Sequence, residues 1–184
     1  MKSTEEKAVR VSMVSMHQFF LDRIDLALEE KRYIEASWLI YACIENRFFR
    51  TLQKFKKDCK YCTGKCKKKT NELALNTKID CVRRLCEAGV ECIASSFTAV
   101  QLDKIKAWVK RRNTLMHKLL SLDTYNQIDA NFEELASEGK EILDELYDSC
   151  TNFRRLFYEE GYEFVFPEIA MEGCPCKPKK EKEA

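Results

Sequence analysis

No proline interrupts this chain until Pro167, and the remaining two, Pro175 and Pro178, follow it within the last residues. Proline removes a backbone donor and clashes with the preceding helical turn, so its absence leaves the body of the chain free of the strongest helix breaker. Glycine is nearly as scarce, at positions 64, 89, 139, 161 and 173 only. Sandwiches and barrels need many Gly- and Pro-rich turns, and this chain lacks the residues to make them. An all-α fold is the expectation. At 184 residues and 45% apolar side chains the chain suits one globular domain with a real core.

The hydrophobic pattern divides the body into five helical stretches. Between Glu5 and Arg32 the apolar residues Val9, Met13, Met16, Phe20, Ile24 and Leu28 recur mostly at spacings of three and four. A second stretch starts near Ile34 and carries Trp38, Tyr41, Ile44, Phe48, Leu52 and Phe55. A third runs through Leu73, Ile79, Val82 and Leu85, with Asn71 as a candidate cap and Gly89 as a stop. Thr98 can cap a fourth, holding Leu102, Ile105, Trp108, Val109 and Leu115, and a polar loop from Ser121 to Asn126 follows it. The last extends from Ile128 to Tyr158, with Gly161 beyond its end. Long helices with short joints suggest an antiparallel bundle over residues 1–163, with an insertion at 56–70 and an irregular tail at 164–184.

Several functions drop out early. The five glycines cannot supply a dinucleotide-binding or P-loop signature. The start, MKSTEEKAVR, does not read as a signal peptide, and the longest apolar run, Trp38 to Ile44, is far short of a bilayer span of roughly 20 residues. The expectation is a soluble cytoplasmic protein with no membrane partner. In a reducing compartment its 10 cysteines read as core residues or metal ligands. Cys43, Cys81, Cys86, Cys92 and Cys150 fall within helical periods as small core residues.

The other five stand apart. KFKKDCKYCTGKCKKKT holds Cys59, Cys62 and Cys66 at spacings that let thiolates wrap a tetrahedral zinc, with Gly64 permitting the turn. A fourth ligand is missing there, and Cys174 and Cys176 of the C-P-C tail are the natural suppliers of a structural zinc site. A loop of free thiols is the competing reading, and a metal-sensing switch is a third. The stretch from Lys54 to Thr70 carries eight lysines against a single Asp58, a positive patch suited to a phosphate backbone, with Tyr61 able to stack on a base. Lys65, Lys67, Lys68 and Lys69 are the candidate RNA contacts, joined by Arg111 further along. A solvated loop kept soluble by its lysines would look the same. The segment from Asp123 to Glu163 is the opposite, with twelve carboxylates against Lys140, Arg154 and Arg155.

Most chemical content lies in WVKRRNTLMHKLL on the fourth stretch. On a helix Asn113 and His117 stack on one face, and the long Arg112 side chain flanks it. That joins a cation fitted to phosphate, an amide that can orient a neighbour, and the side chain that titrates near neutral pH. A metal-free ribonuclease needs those parts. The bland alternative is a solvated helix face with a surface histidine. The other histidine, His17, lies on a Met- and Phe-rich segment and reads as structural.

The hexapeptide Arg112-Asn113-Thr114-Leu115-Met116-His117 resembles the motif of the HEPN superfamily, in which an Arg, a polar residue often Asn, and three further residues precede a His. The resemblance covers residues 5 to 160. It implies a homodimer whose two motifs meet in a shared groove and cut single-stranded RNA without metal, leaving 2′,3′-cyclic phosphate and 5′-hydroxyl ends. His117 would be general acid or base, Arg112 would stabilise charge on phosphate, and Asn113 would orient. EASWLIYACIENRFFR looks like the early helix of such proteins, whose acidic residue maps to Glu45, with Arg47 as a second candidate. The resemblance also suggests a toxin or defence effector with a nucleotidyltransferase antitoxin. Such an antitoxin modifies a tyrosine two residues beyond the histidine, and Leu119 stands there in this chain. A catalytically inert module of the same fold, binding RNA or a protein, is the alternative.

Overall fold

In a computed structural model, residues 4–56, 73–119 and 125–159 are described, and among them every regular element is helical. The order is α1 (Thr4–Glu29), α2 (Tyr33–Lys56), α3 (Leu75–Glu87), α4 (Glu91–Ala94), α5 (Ala99–Lys118) and α6 (Tyr125–Glu159). The all-α class and the five long helices agree with the hydrophobic pattern. The single turn α4 is additional. Four residues are too few to show a helical period, and Cys92 and Ile93 form it by burying completely. No described helix is long and apolar enough to cross a membrane.

The start of α3 corrects the expected cap. The helix begins after Ala74, whose side chain has no oxygen to accept a backbone N–H, while Asn71 lies outside the described residues. Thr98 behaves as expected: its Oγ1 accepts from the Gln101 N–H at 3.1 Å and its carbonyl accepts from Leu102 at 3.0 Å. Gly89 also ends α3 as expected, at φ 72°. The Gly89 N–H donates to Cys86 O and the Val90 N–H to Leu85 O, the paired bonds of a Schellman stop. An equivalent stop closes α1, where Lys31 N–H donates to Leu28 O and Arg32 N–H to Ala27 O. There the left-handed position is filled by Lys31 at φ 56°, a conformation that costs a side chain with a Cβ about 1 kcal/mol.

The chain separates into two compact units. The first comprises Met1–Cys43 and Lys110–Leu143, and the second Ile44–Val109 and Asp144–Ala184. Helices α2, α5 and α6 therefore contribute residues to both. In the first unit Ala27, Ala36 and Ala136, from three different helices, form a fully buried cluster flanked by Leu28 and Tyr33. Side chains this small allow helix backbones to approach closely. The second unit is built on rings: Phe48 lies 6.4 Å from Phe97, Phe97 6.3 Å from Phe153, and Phe153 5.5 Å from Phe157. Burying each of the first three stabilises the fold by roughly 2–3 kcal/mol.

Polar bonds then fix α5, and the end of α4 before it, against α6 within the second unit. Gln101 Nε2 donates to Ser149 Oγ at 2.9 Å, Lys104 pairs with Glu145 at 2.8 Å, and Asn152 Nδ2 donates to Ser95 O at 3.1 Å. Cys43, Cys92 and Cys150 are buried, as expected of core thiols, whereas Cys81 and Cys86 are half-buried. Burial pushes the Cys86 thiol up to about 11, so it is a poor nucleophile at neutral pH. The insertion and the tail, and with them Cys59, Cys62, Cys66, Cys174, Cys176, Lys65, Lys67, Lys68 and Lys69, lie outside the described residues.

Candidate functional site

The second half of α5 carries the motif, and its helical geometry puts Asn113 and His117 one turn apart on the same side. Arg112 and Asn113 are joined directly, Nη1 donating to Asn113 Oδ1 at 3.2 Å. The guanidinium also stacks on two rings of α2, its carbon lying 4.7 Å from the Tyr41 centroid and 5.1 Å from that of Trp38. Trp38 and Tyr41 are three residues apart and so occupy neighbouring positions on one helix face. Cation–π attraction of about 0.5–2 kcal/mol per ring, larger where water is excluded, holds the arginine in place.

Burial lowers the proton affinity of Arg112, opposed by the nearby Tyr41 hydroxyl, but a guanidinium remains charged at neutral pH. Its Nε is buried with no hydrogen-bond partner. The result is a positioned, partly desolvated cation whose Nε is closed off from solvent. His117, one turn on, is exposed and reachable by a substrate.

Neighbouring Arg111 is differently committed. Its two terminal nitrogens contact Glu134 at 2.6 Å and Glu138 at 3.1 Å, and the Glu134 hydrogen bond leads in raising its proton affinity. The carboxylate-rich α6, legible in the sequence as an acidic segment, is what occupies it. In this arrangement Arg111 is a tether between α5 and α6, with two carboxylates competing against any phosphate.

Glu45 has a partner of its own. It belongs to the second unit, where Oε1 accepts from Lys78 Nζ at 2.7 Å. The Lys78 side chain is only 2% exposed against 36% for Glu45, so the carboxylate is the counter-charge of a buried ammonium. Arg47, also in the second unit, lies with its guanidinium carbon 4.0 Å from the Tyr147 ring centroid. His17 is half-buried on α1. Among the described residues no cluster of His, Cys, Asp and Glu is arranged to hold a metal.

Two features escaped the sequence reading. Trp38 and Tyr41 read as core residues of α2 and instead lie against Arg112. Buried Lys78 is the other, and the signal for it is that it interrupts the apolar register of Leu75, Ile79, Val82 and Leu85 on α3.

No family model, no curated protein and no solved structure matches the chain.

Proposed function

We propose that the chain is a metal-independent endoribonuclease that cuts single-stranded RNA to 2′,3′-cyclic phosphate and 5′-hydroxyl ends, a cytoplasmic HEPN-like protein acting as a homodimer. The observation that carries this reading is Arg112 bonded to Asn113 with the exposed His117 one turn along the same helix. In the reaction the 2′-hydroxyl loses its proton to a base and attacks the adjacent phosphorus. The bond from phosphorus to O5′ breaks, and the leaving oxygen takes a proton from an acid. One histidine cannot serve both ends at once, so His117 of each of two copies supplies base and acid across a shared groove. Arg112 stabilises the extra charge on the non-bridging oxygens, and Asn113 fixes its orientation. The lysine-rich insertion holds the RNA backbone, and Cys59, Cys62, Cys66, Cys174 and Cys176 staple that insertion to the tail through zinc. A toxin or defence role, with a separate antitoxin, belongs to the same proposal.

The test is cleavage of a labelled single-stranded RNA pool, with chelator present, by the parent protein and His117→Ala. Chelator-resistant cutting with cyclic phosphate ends is expected, with a loss of about 10²–10⁴-fold in the variant. Equal cutting by both proteins excludes His117, and no cutting by either favours the second reading. That reading is an inert HEPN-like module binding RNA or protein, and the engagement of Arg111 by Glu134 and Glu138 favours it.

A further inference from the structure

Trp38 has an environment that packing alone does not account for. It is the larger of the two rings that hold Arg112, yet it is 56% exposed. It also forms part of the wall of an open groove at the turn between α1 and α2, together with Lys31, Tyr33, Ile34, Asp129 and the paired Arg32 and Glu35. All of these residues, and Arg112, belong to the first unit. Lys31 is exposed, has no ion pair among the described residues, and is held at the groove by the Schellman stop. Asp129 is exposed and offers carboxylate oxygens as acceptors. Arg32, by contrast, is taken up by Glu30 and Glu35.

We infer that this groove binds one nucleotide of a single-stranded RNA, its base stacked on Trp38 and its phosphate paired with Lys31. The inference deepens the ribonuclease reading and rests on it. The occupant is argued from three chemistries converging at the groove: a flat aromatic surface open to solvent, an unspent cation, and a carboxylate able to accept from base N–H groups. A ring that carries Arg112 and also stacks a base links the bound nucleotide to the cation proposed to act on phosphate. A strand laid along α2 in this way would enter the site by a defined route. Stacking needs no sequence readout, so the groove holds any base and positions the strand.

The chain makes the test direct, because it has 2 tryptophans and the other, Trp108, is 1% exposed. Tryptophan emission of the full-length protein is titrated with a 2′-O-methyl single-stranded oligonucleotide, which cannot be cut, and binding is followed separately by anisotropy of a fluorescein on the strand. Saturable quenching is expected, absent in Trp38→Phe, which keeps a ring for Arg112. Trp38→Ala is expected to weaken binding by about tenfold or more, and Lys31→Gln to weaken it and flatten its salt dependence. Inorganic polyphosphate, which has charge but no base, should leave emission unchanged. Strand binding without quenching, or equal quenching by Trp38→Phe, overturns the groove, as does no binding. Quenching by a protein that never cuts RNA leaves the groove standing and removes the ribonuclease reading.

Discussion

The two units differ in how their aromatic side chains are packed. In the second, Phe48, Phe97 and Phe153 are buried ring against ring, and even a lysine is drawn inside with Glu45 as its counter-charge. In the first, three alanines are buried together with Ile24, Ile40 and Phe132, while Met16, Phe19, Leu26 and Trp38 stand exposed. A region that buries rings gains most of its apolar transfer energy internally. A region that leaves them at the surface keeps that energy for a partner. The motif of Arg112, Asn113 and His117 lies in the unit that leaves Trp38 exposed.

The largest expected effect lies in the ring core. Phe97→Ala should cost about 3–5 kcal/mol in urea unfolding, since it removes the ring touching both Phe48 and Phe153. Trp38→Ala should cost about 1 kcal/mol. If the two losses prove equal, the contrast between the units is wrong. Next comes the buried ion pair: Glu45→Gln strands the Lys78 ammonium and should cost about 1–3 kcal/mol, whereas Lys78→Met should be near neutral. The reverse order would mean that Lys78 is hydrated. That experiment also separates structure from catalysis, because a counter-charge role for Glu45 predicts lower stability with no change in the pH profile of cleavage.

The smallest effect compares the two helix stops, one in each unit. Lys31→Gly should raise stability by about 0.5–1 kcal/mol by relieving a left-handed side chain. Gly89→Ala should lower it by about 1 kcal/mol, wholly through backbone strain, since a Cβ there would meet nothing within 4 Å. Thermal melts at matched concentration read both. Equal shifts of opposite sign would show that the stops are interchangeable in energy although their sequences differ.

The legible part of this protein was its local part. Five long helices, the Thr98 cap and the Gly89 stop follow from spacing and capping chemistry, which act over one or two turns. Lys31 was not readable as a stop, because lysine carries no preference for the left-handed region and only the surrounding bonds hold it there. Asn71 looked like a cap because asparagine suits that place, yet the helix starts after Ala74. The candidate site was half legible. Arg112, Asn113 and His117 share a helix, so their period relates them, but no periodicity on α5 announces the rings of α2.

By itself, then, the sequence determined an all-α class and placed an amide and a histidine one turn apart, because helical spacing is a property of the backbone alone. Tertiary structure decided which charges are spent and which are available. Arg111 and Arg112 are adjacent, but a helix turns about 100° per residue. One therefore meets the carboxylates of α6 and the other the aromatic rings of α2, and only packing determines what waits on each side.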